Sequence, residues 1–359
     1  MKNTYPDYYH KFSCVANQCE ATCCAGWQIV VDEESLKKYA KVNNEFADRI
    51  RKGVDFEEGV FFQQEKKRCA FLNDKNLCDM YTALGEESLC ETCTRYPRHI
   101  EEFENVREHT LSVSCPVVAK MLLETKEPVQ FVETEKESEE EVFDDFDPVL
   151  YEVLAEAREE MLKVLQDRSL TIETRSTKLW RFITDFQEKM DEGTLYIEEN
   201  LYDFSKDTGE NEVCFAKAKE IFSKLFELEV LAEEWEADLA ETEYLLYQGD
   251  AANYNKIKEE YVRWRKKNFP DWDIMAEQLM VYFLYTYFCG AVYDEYVASK
   301  VKMSVLSAFY IEEMLVAQWL KQGKRLEFHD VIRMVYRYSR ELEHSDENLC
   351  AMNRLMEEL

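Results

Sequence analysis

Glycine, proline and histidine are all scarce in this chain, with 9, 6 and 5 of them among 359 residues. With so few glycines, no Gly-x-Gly occurs, so the sequence has neither a Rossmann dinucleotide-binding fingerprint nor a glycine-rich phosphate loop. His-Glu-x-x-His and Gly-x-Ser-x-Gly are missing too. These absences exclude the commonest zinc-protease and serine-hydrolase sites.

Long apolar runs are also missing. The most apolar stretch, residues 279–293, is too short and too rich in tyrosine to span a bilayer. The opening residues, MKNTYPDYYHKF, lack the apolar region of a secretory signal. We therefore expect a cytoplasmic protein without a membrane partner, whose thiols stay reduced.

Basic residues are few relative to acidic ones, with 44 Lys and Arg against 74 Asp and Glu and a net charge of −30. Residues 1–123 carry 16 basic and 20 acidic side chains, whereas the remainder carry 28 and 54. Such a field repels nucleic acid, so we expect no nucleic-acid partner. It would attract a basic partner or a lysine side chain, although the same charge could serve solubility alone.

The pattern of apolar residues predicts a mainly α protein. Residues 149–167, 215–247 and 305–320 repeat apolar side chains at steps of three and four, which is typical of amphipathic helices. Residues 275–293 are apolar on nearly all sides, which indicates a central buried helix. We expect the large aromatic residues here to belong to the core rather than to a cofactor site, namely Tyr282, Tyr285, Tyr287 and Trp319.

The distribution of cysteines and acidic residues predicts two domains. Residues 1–130 are expected to form a small, irregular, Cys-rich metal or cluster domain with short strands. Residues 149–359 are expected to form a larger, acidic, all-helical domain, and the acidic residues 131–148 read as a linker.

Local signals within the first domain predict its elements. Trp27–Val31 reads as a strand, followed by Asp32 as the N-cap of a helix. Residues 60–64 and 69–72 are expected to be hairpin strands, with a turn directly after the second. Pro116 is expected to begin a helix.

Nine of the twelve cysteines precede residue 116, with spacings that no simple zinc knuckle explains. Disulfides would need an oxidising compartment, and nine is an odd number. Zinc usually draws on paired Cys-x-x-Cys knuckles, and Cys90/Cys93 alone fits. An iron–sulfur cluster also takes four thiolates and tolerates irregular spacing, so it is favoured over zinc. Zinc remains an alternative. The radical-type Cys-x3-Cys-x2-Cys is absent. The candidate metal ligands are Cys14, Cys19, Cys23, Cys24, Cys69, Cys78, Cys90, Cys93 and Cys115.

The segment after Cys93 supplies groups suited to surround a thiolate-bound centre. Arg95, Tyr96 and Arg98 lie within CTRYPR, and cationic groups near thiolates offset their negative charge. The alternative is a simple turn fixed by Pro97. From the residues alone, the chain reads as a metal or cluster domain joined to an acidic helical domain, without an assigned reaction.

Three stretches resemble a known family. FSCVANQCEATCCAGWQIVVDEESLKKY, RCAFLNDKNLCDMYTALGEESLCETCTRYPR and LSVSCPVVAKMLL are similar to the signature of the flagellin lysine-N-methylase family. The resemblance covers roughly residues 8–125, whereas the rest matches loosely, as an acidic helical tail. A broader group of cysteine-cluster proteins shares the simpler Cys…Cys-Cys pattern, but Gly26-Trp27 and Tyr96-Pro97-Arg98 favour the narrower family.

The resemblance implies an enzyme that moves a methyl group from S-adenosylmethionine to lysine ε-amines of flagellin, with a Cys-ligated [4Fe-4S] cluster. A sulfonium and a lysine cation both suit aromatic faces, and arginine suits the donor's carboxylate. No general base is evident. Two alternatives stay open, a non-enzymatic cysteine-cluster binding module and an electron carrier. The candidate cofactor-binding residues are Trp27, Arg95, Tyr96 and Arg98.

Overall fold

A computed structural model describes residues 1–196, 204 and 214–359. The strands are short: β1 Lys2–Pro6, β2 Val54–Asp55, β3 Val60–Phe61, β4 Gln63–Gln64, β5 Arg68–Cys69, β6 Arg98–Phe103, β7 Val106–Leu111 and β8 Phe131–Glu135. The helices are α1 Glu33–Ala40, α2 Ala47–Gly53, α3 Asp79–Leu84, α4 Glu91–Arg95, α5 Pro116–Glu124, α6 Pro148–Leu165, α7 Ile172–Asp191, α8 Phe215–Ser223, α9 Glu233–Thr242, α10 Ala251–Asn268, α11 Trp272–Tyr287, α12 Ala291–Asp294, α13 Val297–Lys321, α14 Phe328–Glu343 and α15 Asp346–Glu357.

Helices dominate the structure, which confirms the prediction of a mainly α protein. Helix α13 lies at the centre and packs against α7, α9, α11, α14 and α15. Helix α11 is buried along almost its whole length, as its apolar sequence predicts. Tyr285 and Trp319 are core residues, as expected. In the described ranges, no helix is both long enough and apolar enough to cross a membrane.

A four-stranded sheet in the order β6-β7-β1-β8 packs against the helices. Strand β1 pairs with β7 in parallel and with β8 in antiparallel orientation, so Thr4 lies between Glu108 and Glu133. Strand β8 occupies residues that the sequence analysis assigned to a linker, and over residues 131–135 that expectation differs from the structure. The strand is held there because the ring of Phe131 stacks on Tyr285 at 4.1 Å, which anchors it to α11.

The cysteine-rich segment builds a second, smaller core beside the main one. Its buried members include Ile29, Tyr39, Ile50 and Phe71. Strands β4 and β5 form part of the expected hairpin, with Gln63 opposite Cys69 and a turn at residues 73–76, whereas Val60–Phe61 pairs with β2 instead.

Two helix starts predicted within residues 1–130 are confirmed, and one strand is not. The Asp32 side chain accepts a hydrogen bond from the Ser35 N–H at 2.8 Å and caps α1, and Pro116 begins α5. Residues 27–31 form no strand, because their pairing is limited to an isolated bridge between Val30 and Val60.

The predicted continuous helix over residues 215–247 is interrupted. Helices α8 and α9 are separated by an extended segment at residues 228–232, and α9 continues into a π-helical turn at Glu243–Tyr247. Side chains of distant helices hold the extended segment: Glu341 accepts from the Leu231 N–H at 2.7 Å and Asn348 donates to the Glu229 carbonyl at 2.9 Å.

The buried carboxylate of Glu277 gives a stability prediction. It accepts hydrogen bonds from Arg168 at 2.8 Å and from Arg175 at 2.7 Å, and both Glu277 and Arg175 are buried. Removing one member of a buried ion pair leaves an uncompensated charge. We expect Glu277→Gln to lower the free energy of unfolding by about 3–5 kcal/mol in urea titrations. The control is Glu259→Gln in the exposed pair with Arg263, which should cost less than about 1 kcal/mol. Equal effects of the two substitutions would contradict a structural role of the buried ion pair.

The carboxyl of Glu341 gives a pH prediction. Burial raises its pKa from 4.5 to about 7, although N–H groups of Leu231 and Ala232 oppose the shift. Between these values the folded state binds more protons than the unfolded state, so stability falls as pH rises through this window, by at most about 1.4 kcal/mol per unit. Unfolding measured at pH 5, 6 and 7 should therefore show a decline that Glu341→Gln removes. An unchanged slope in the variant would contradict the assignment.

Candidate functional site

A cavity of about 490 Å³ lies between the cysteine-rich segment and the helical body. One wall comes from residues before α1 and at the start of β6, and the other comes from the ends of α11 and α14 and from the starts of α13 and α15. Its size falls within the usual range for small-molecule sites. The residues that matter for its chemistry are Trp27, Tyr96, Arg98, Ser112, Tyr282, Tyr287, Glu343 and His344.

Glu343 is the last residue of α14, and its carboxylate is surrounded by hydroxyl groups. Tyr287 donates to Oε1 at 2.6 Å and Ser112 donates to Oε2 at 3.0 Å. Tyr282 donates to Oε1 as well, and Ser339 donates to Oε2. Burial, with a further contribution from the Glu343 charge, raises the pKa of Tyr282 and Tyr287 well above the usual value. Both phenols are therefore neutral and donate their protons to the carboxylate.

Three rings form an aromatic wall, to which Trp27 and Tyr96 come from the cysteine-rich segment and His344 from the end of α14, directly after Glu343. His344 stacks on Trp27 with ring centres 4.6 Å apart, and Tyr96 lies 5.8 Å from Trp27. The Trp27 Nε1–H donates to the Cys23 carbonyl at 2.8 Å, which fixes the indole against the cysteine-rich segment. Burial and the neighbouring Arg340 lower the pKa of His344 to about 3. The imidazole is thus neutral at physiological pH.

A continuous chain of hydrogen bonds joins the aromatic wall to Glu343. The hydroxyl of Ser114 lies 3.0 Å from both the Tyr96 hydroxyl and His344 Nε2. It also lies 2.6 Å from the Ser112 hydroxyl, which donates to Glu343. The two walls of the cavity therefore share one polar network.

The structure brings together three of the four predicted cofactor-binding residues. Trp27, Tyr96 and Arg98 line the cavity, and the Arg98 guanidinium lies 5.4 Å from the centre of the Phe12 ring. Arg95 is absent from the cavity. It lies in a separate open groove and pairs with Glu91 at 2.5 Å.

The sequence analysis missed Glu343 and His344, and its expectation for two tyrosines was incomplete. Tyr282 is buried, as expected of a core residue, but its hydroxyl faces the cavity carboxylate. Tyr287 is half-buried and lines the same cavity. The spacing Ser339-x3-Glu343 on α14 was the available local signal, because it places both side chains on one helix face.

The nine N-terminal cysteines lie in two groups. Five of them pack on the small core: Cys24, Cys69, Cys78, Cys90 and Cys93. The other four lie outside this core, and one of them, Cys23, accepts the Trp27 N–H through its carbonyl: Cys14, Cys19, Cys23 and Cys115. Cys115 belongs to the main core, and its thiol receives N–H groups of Val117 and Val118 at the start of α5.

The donor set of both groups is chemically suited to a thiolate-bound centre. It consists of sulfur with backbone N–H groups directed at it, and such groups offset thiolate charge. Within the described residues, no three His, Cys, Asp or Glu side chains are already spaced to hold a single metal ion. Each sulfur can move between staggered positions about χ1, so the backbone decides which cysteines can share a centre.

Comparison with known proteins identifies the family. A family model described as the FliB lysine N-methylase C-terminal domain matches residues 158–359. The flagellar biosynthetic protein FliU of Salmonella muenchen is 29% identical over 128 residues, which are 33% of this chain and 76% of that protein. The lysine-N-methylases of Salmonella typhimurium and Salmonella choleraesuis are each 27% identical over 128 residues.

Those 128 residues are 33% of this chain and 32% of each lysine-N-methylase, so the match spans about a third of the length of these two relatives. No solved structure matches the chain. The family model covers more than half of the sequence. Its range begins after the cysteine-rich segment, so the match does not depend on the cysteine motifs. The chain belongs to the FliB lysine N-methylase family.

Proposed function

We propose that this protein transfers a methyl group from S-adenosylmethionine to the ε-amine of lysine residues in flagellin. The observation that carries the proposal is the set of contacts made by Glu343, a partly buried side chain that lines the cavity. Three fully buried carboxylates pair with a cation of the chain: Glu108 with Arg158, Glu277 with Arg175, and Glu313 with Lys258. Within the described residues Glu343 forms no ion pair with Lys or Arg, and its carboxylate accepts from four hydroxyl groups. Lys300 lines the same cavity but pairs with Asp294 at 2.7 Å.

Both reactants of a lysine methylation are cations that fit this environment. The donor carries a sulfonium and the acceptor arrives as an ammonium, with an ordinary pKa of about 10.4. A carboxylate and aromatic faces both attract a cation, and more strongly where water is excluded. The cavity offers both the Glu343 carboxylate and the rings of Trp27, Tyr96 and His344.

The tyrosines can orient the acceptor. A carboxylate has about four acceptor positions, and at Glu343 four hydroxyl groups occupy them. Because Tyr287 donates its proton to Glu343, the lone pairs of its oxygen remain free to accept an N–H of the substrate amine. Glu343 thus supplies charge and fixes the hydroxyl groups, and the tyrosine oxygens provide the direct contact.

The transfer itself needs alignment more than covalent participation by the protein. Glu343 attracts the lysine as an ammonium, which has to lose a proton to water before the transfer. The carboxylate opposes this loss, and burial among the rings favours it. The nitrogen lone pair then forms the new bond to the methyl carbon as the carbon–sulfur bond breaks, and the donor leaves as a thioether. Holding the two reactants in line is the main contribution expected of the cavity.

The N-terminal cysteines are proposed to hold a [4Fe-4S] cluster, with zinc as the alternative metal. The support is the sulfur-only donor set with N–H groups directed at it. When bound, such a cluster ties chain segments together and can carry an electron. Trp27 then connects this part to the cavity, through its hydrogen bond to the Cys23 carbonyl.

The flagellin substrate rests on the family resemblance and on the name of one relative, a flagellar biosynthetic protein. The strongly acidic chain also suits a lysine-bearing partner, since opposite charge speeds encounter.

The first test uses protein purified without oxygen, mixed with S-adenosylmethionine and flagellin from the same source. Mass spectrometry should detect methyl groups on flagellin lysines. We expect Tyr287→Phe to lower the methylation rate about 10–100-fold, because it removes a hydrogen bond to a charged group, and Glu343→Gln to lower it further.

The matched control is Tyr285→Phe. The Tyr285 hydroxyl is buried and makes no hydrogen bond within the described residues, so its removal should leave both rate and stability unchanged. If wild-type protein binds no donor and adds no methyl group, the enzyme proposal fails and a non-enzymatic cysteine-cluster module remains. If Tyr287→Phe and Tyr285→Phe are equally active, the cavity is not the site of transfer.

A second test concerns the donor's carboxylate. Arg98 lines the cavity and presents a guanidinium that can bind a carboxylate through two hydrogen bonds. Arg98→Ala should weaken S-adenosylmethionine binding about tenfold or more in calorimetric titration. Arg95→Ala is the control, since Arg95 lies outside the cavity and should leave the affinity unchanged. Unchanged affinity in Arg98→Ala would exclude this role.

A further inference from the structure

The peptide bond between Cys23 and Cys24 separates two sets of cysteines. The Cys23 carbonyl accepts the indole N–H of Trp27 at the cavity wall. The Cys24 carbonyl instead accepts the N–H of Cys69 at 2.8 Å, within the small core. Two adjacent residues are thus bonded to different parts of the structure.

The first set consists of Cys14, Cys19, Cys23 and Cys115, which come from two distant parts of the chain. Arg340 joins these parts: its guanidinium donates to the Ala21 carbonyl at 2.6 Å and to the Ser114 carbonyl at 3.0 Å. Ala21 lies between Cys19 and Cys23, and Ser114 directly precedes Cys115.

The second set consists of Cys24, Cys69, Cys78, Cys90 and Cys93, all packed on the small core. Backbone contacts hold them together. The Cys69 N–H donates to the Cys24 carbonyl, and Cys78 forms a β-bridge with Leu72, which lies three residues after Cys69. Cys90 and Cys93 lie within one helical turn of each other at α4. The set contains one sulfur more than a four-thiolate centre needs.

We infer that each chain carries two metal centres rather than one. The first set holds the cluster of the proposed function, directly behind the Trp27–Tyr96 wall of the cavity. The second set holds a separate centre with four thiolate ligands, away from the cavity, where it stabilises the small core. The inference rests on the proposed metal binding but not on methyl transfer. A sulfur-only set of four accepts either zinc or an iron–sulfur cluster, and the metal and sulfide content of the protein distinguishes them.

The test measures iron, zinc and acid-labile sulfide per chain in the full-length protein purified without oxygen, together with its native mass. Wild-type protein should contain one four-iron cluster and, in addition, either one zinc ion or further iron and sulfide. Cys23→Ser with Cys115→Ser should remove one centre and keep the other. Cys69→Ser with Cys78→Ser should do the reverse, because it leaves three sulfurs in the second set. Cys214→Ser, an exposed cysteine outside both sets, is the control.

The outcomes separate this inference from the proposed function. Loss of all metal in both double variants, or a native mass of wild-type protein with a single centre, would overturn the two-centre inference and leave methyl transfer untouched. The native mass requires no substitution, so it decides the question even if a variant does not fold. Wild-type protein free of metal would overturn metal binding altogether, whereas the methylation assay tests transfer independently.

Discussion

The guanidinium of Arg340 holds together the parts of the molecule between which the cavity lies. It extends from α14 and bonds to two carbonyls, one beside Cys19 and Cys23 and the other beside Cys115. One turn later the same helix presents Glu343 and His344 to the cavity. The end of α14 therefore carries both Arg340, which binds the cysteine-rich segment, and Glu343 and His344, which line the cavity. This fixes the positions of the cysteine-rich segment, the aromatic wall and the carboxylate relative to one another. Burial lowers the pKa of the His344 imidazole, and the charge of Arg340 lowers it further.

Carboxylates of this fold are satisfied in two different ways. Buried Glu108, Glu277 and Glu313 are each paired with a cation of the same chain, and these pairs connect helices or a strand that are distant in sequence. Glu343 is partly buried, and its carboxylate accepts from hydroxyl groups. Hydroxyl groups meet the hydrogen-bonding requirement of a carboxylate without cancelling its charge. The first arrangement stabilises structure, and the second is the one on which the proposed attraction of a cationic substrate depends.

The sequence predicts those features of the fold that depend on local signals. Asp32 caps a helix and Pro116 begins one because each acts on its immediate neighbours. The cavity depends instead on contacts between remote residues, such as the hydrogen bond from Ser112 to Glu343 across 231 positions. Such a contact leaves no periodic pattern in the sequence from which it could be predicted. Arg95 and Arg98 lie at different sites for the same reason. Helix α4 ends at Arg95 and the chain turns at Pro97, so Arg95 lines the open groove and Arg98 lines the cavity.

The position of β1 has a consequence for how the chain acquires its structure during synthesis. Lys2 pairs with Val106 and Glu135, so the first strand has no partner until residue 106 is synthesised and lacks its second partner until residue 135. At about 5–20 residues per second, that delay is on the order of ten seconds. All nine N-terminal cysteines emerge during this interval, and Cys115 is the last to appear. The nascent chain therefore exposes an incomplete set of thiols for seconds. In the proposed two-centre arrangement, the set beside the cavity is complete only after Cys115 has emerged.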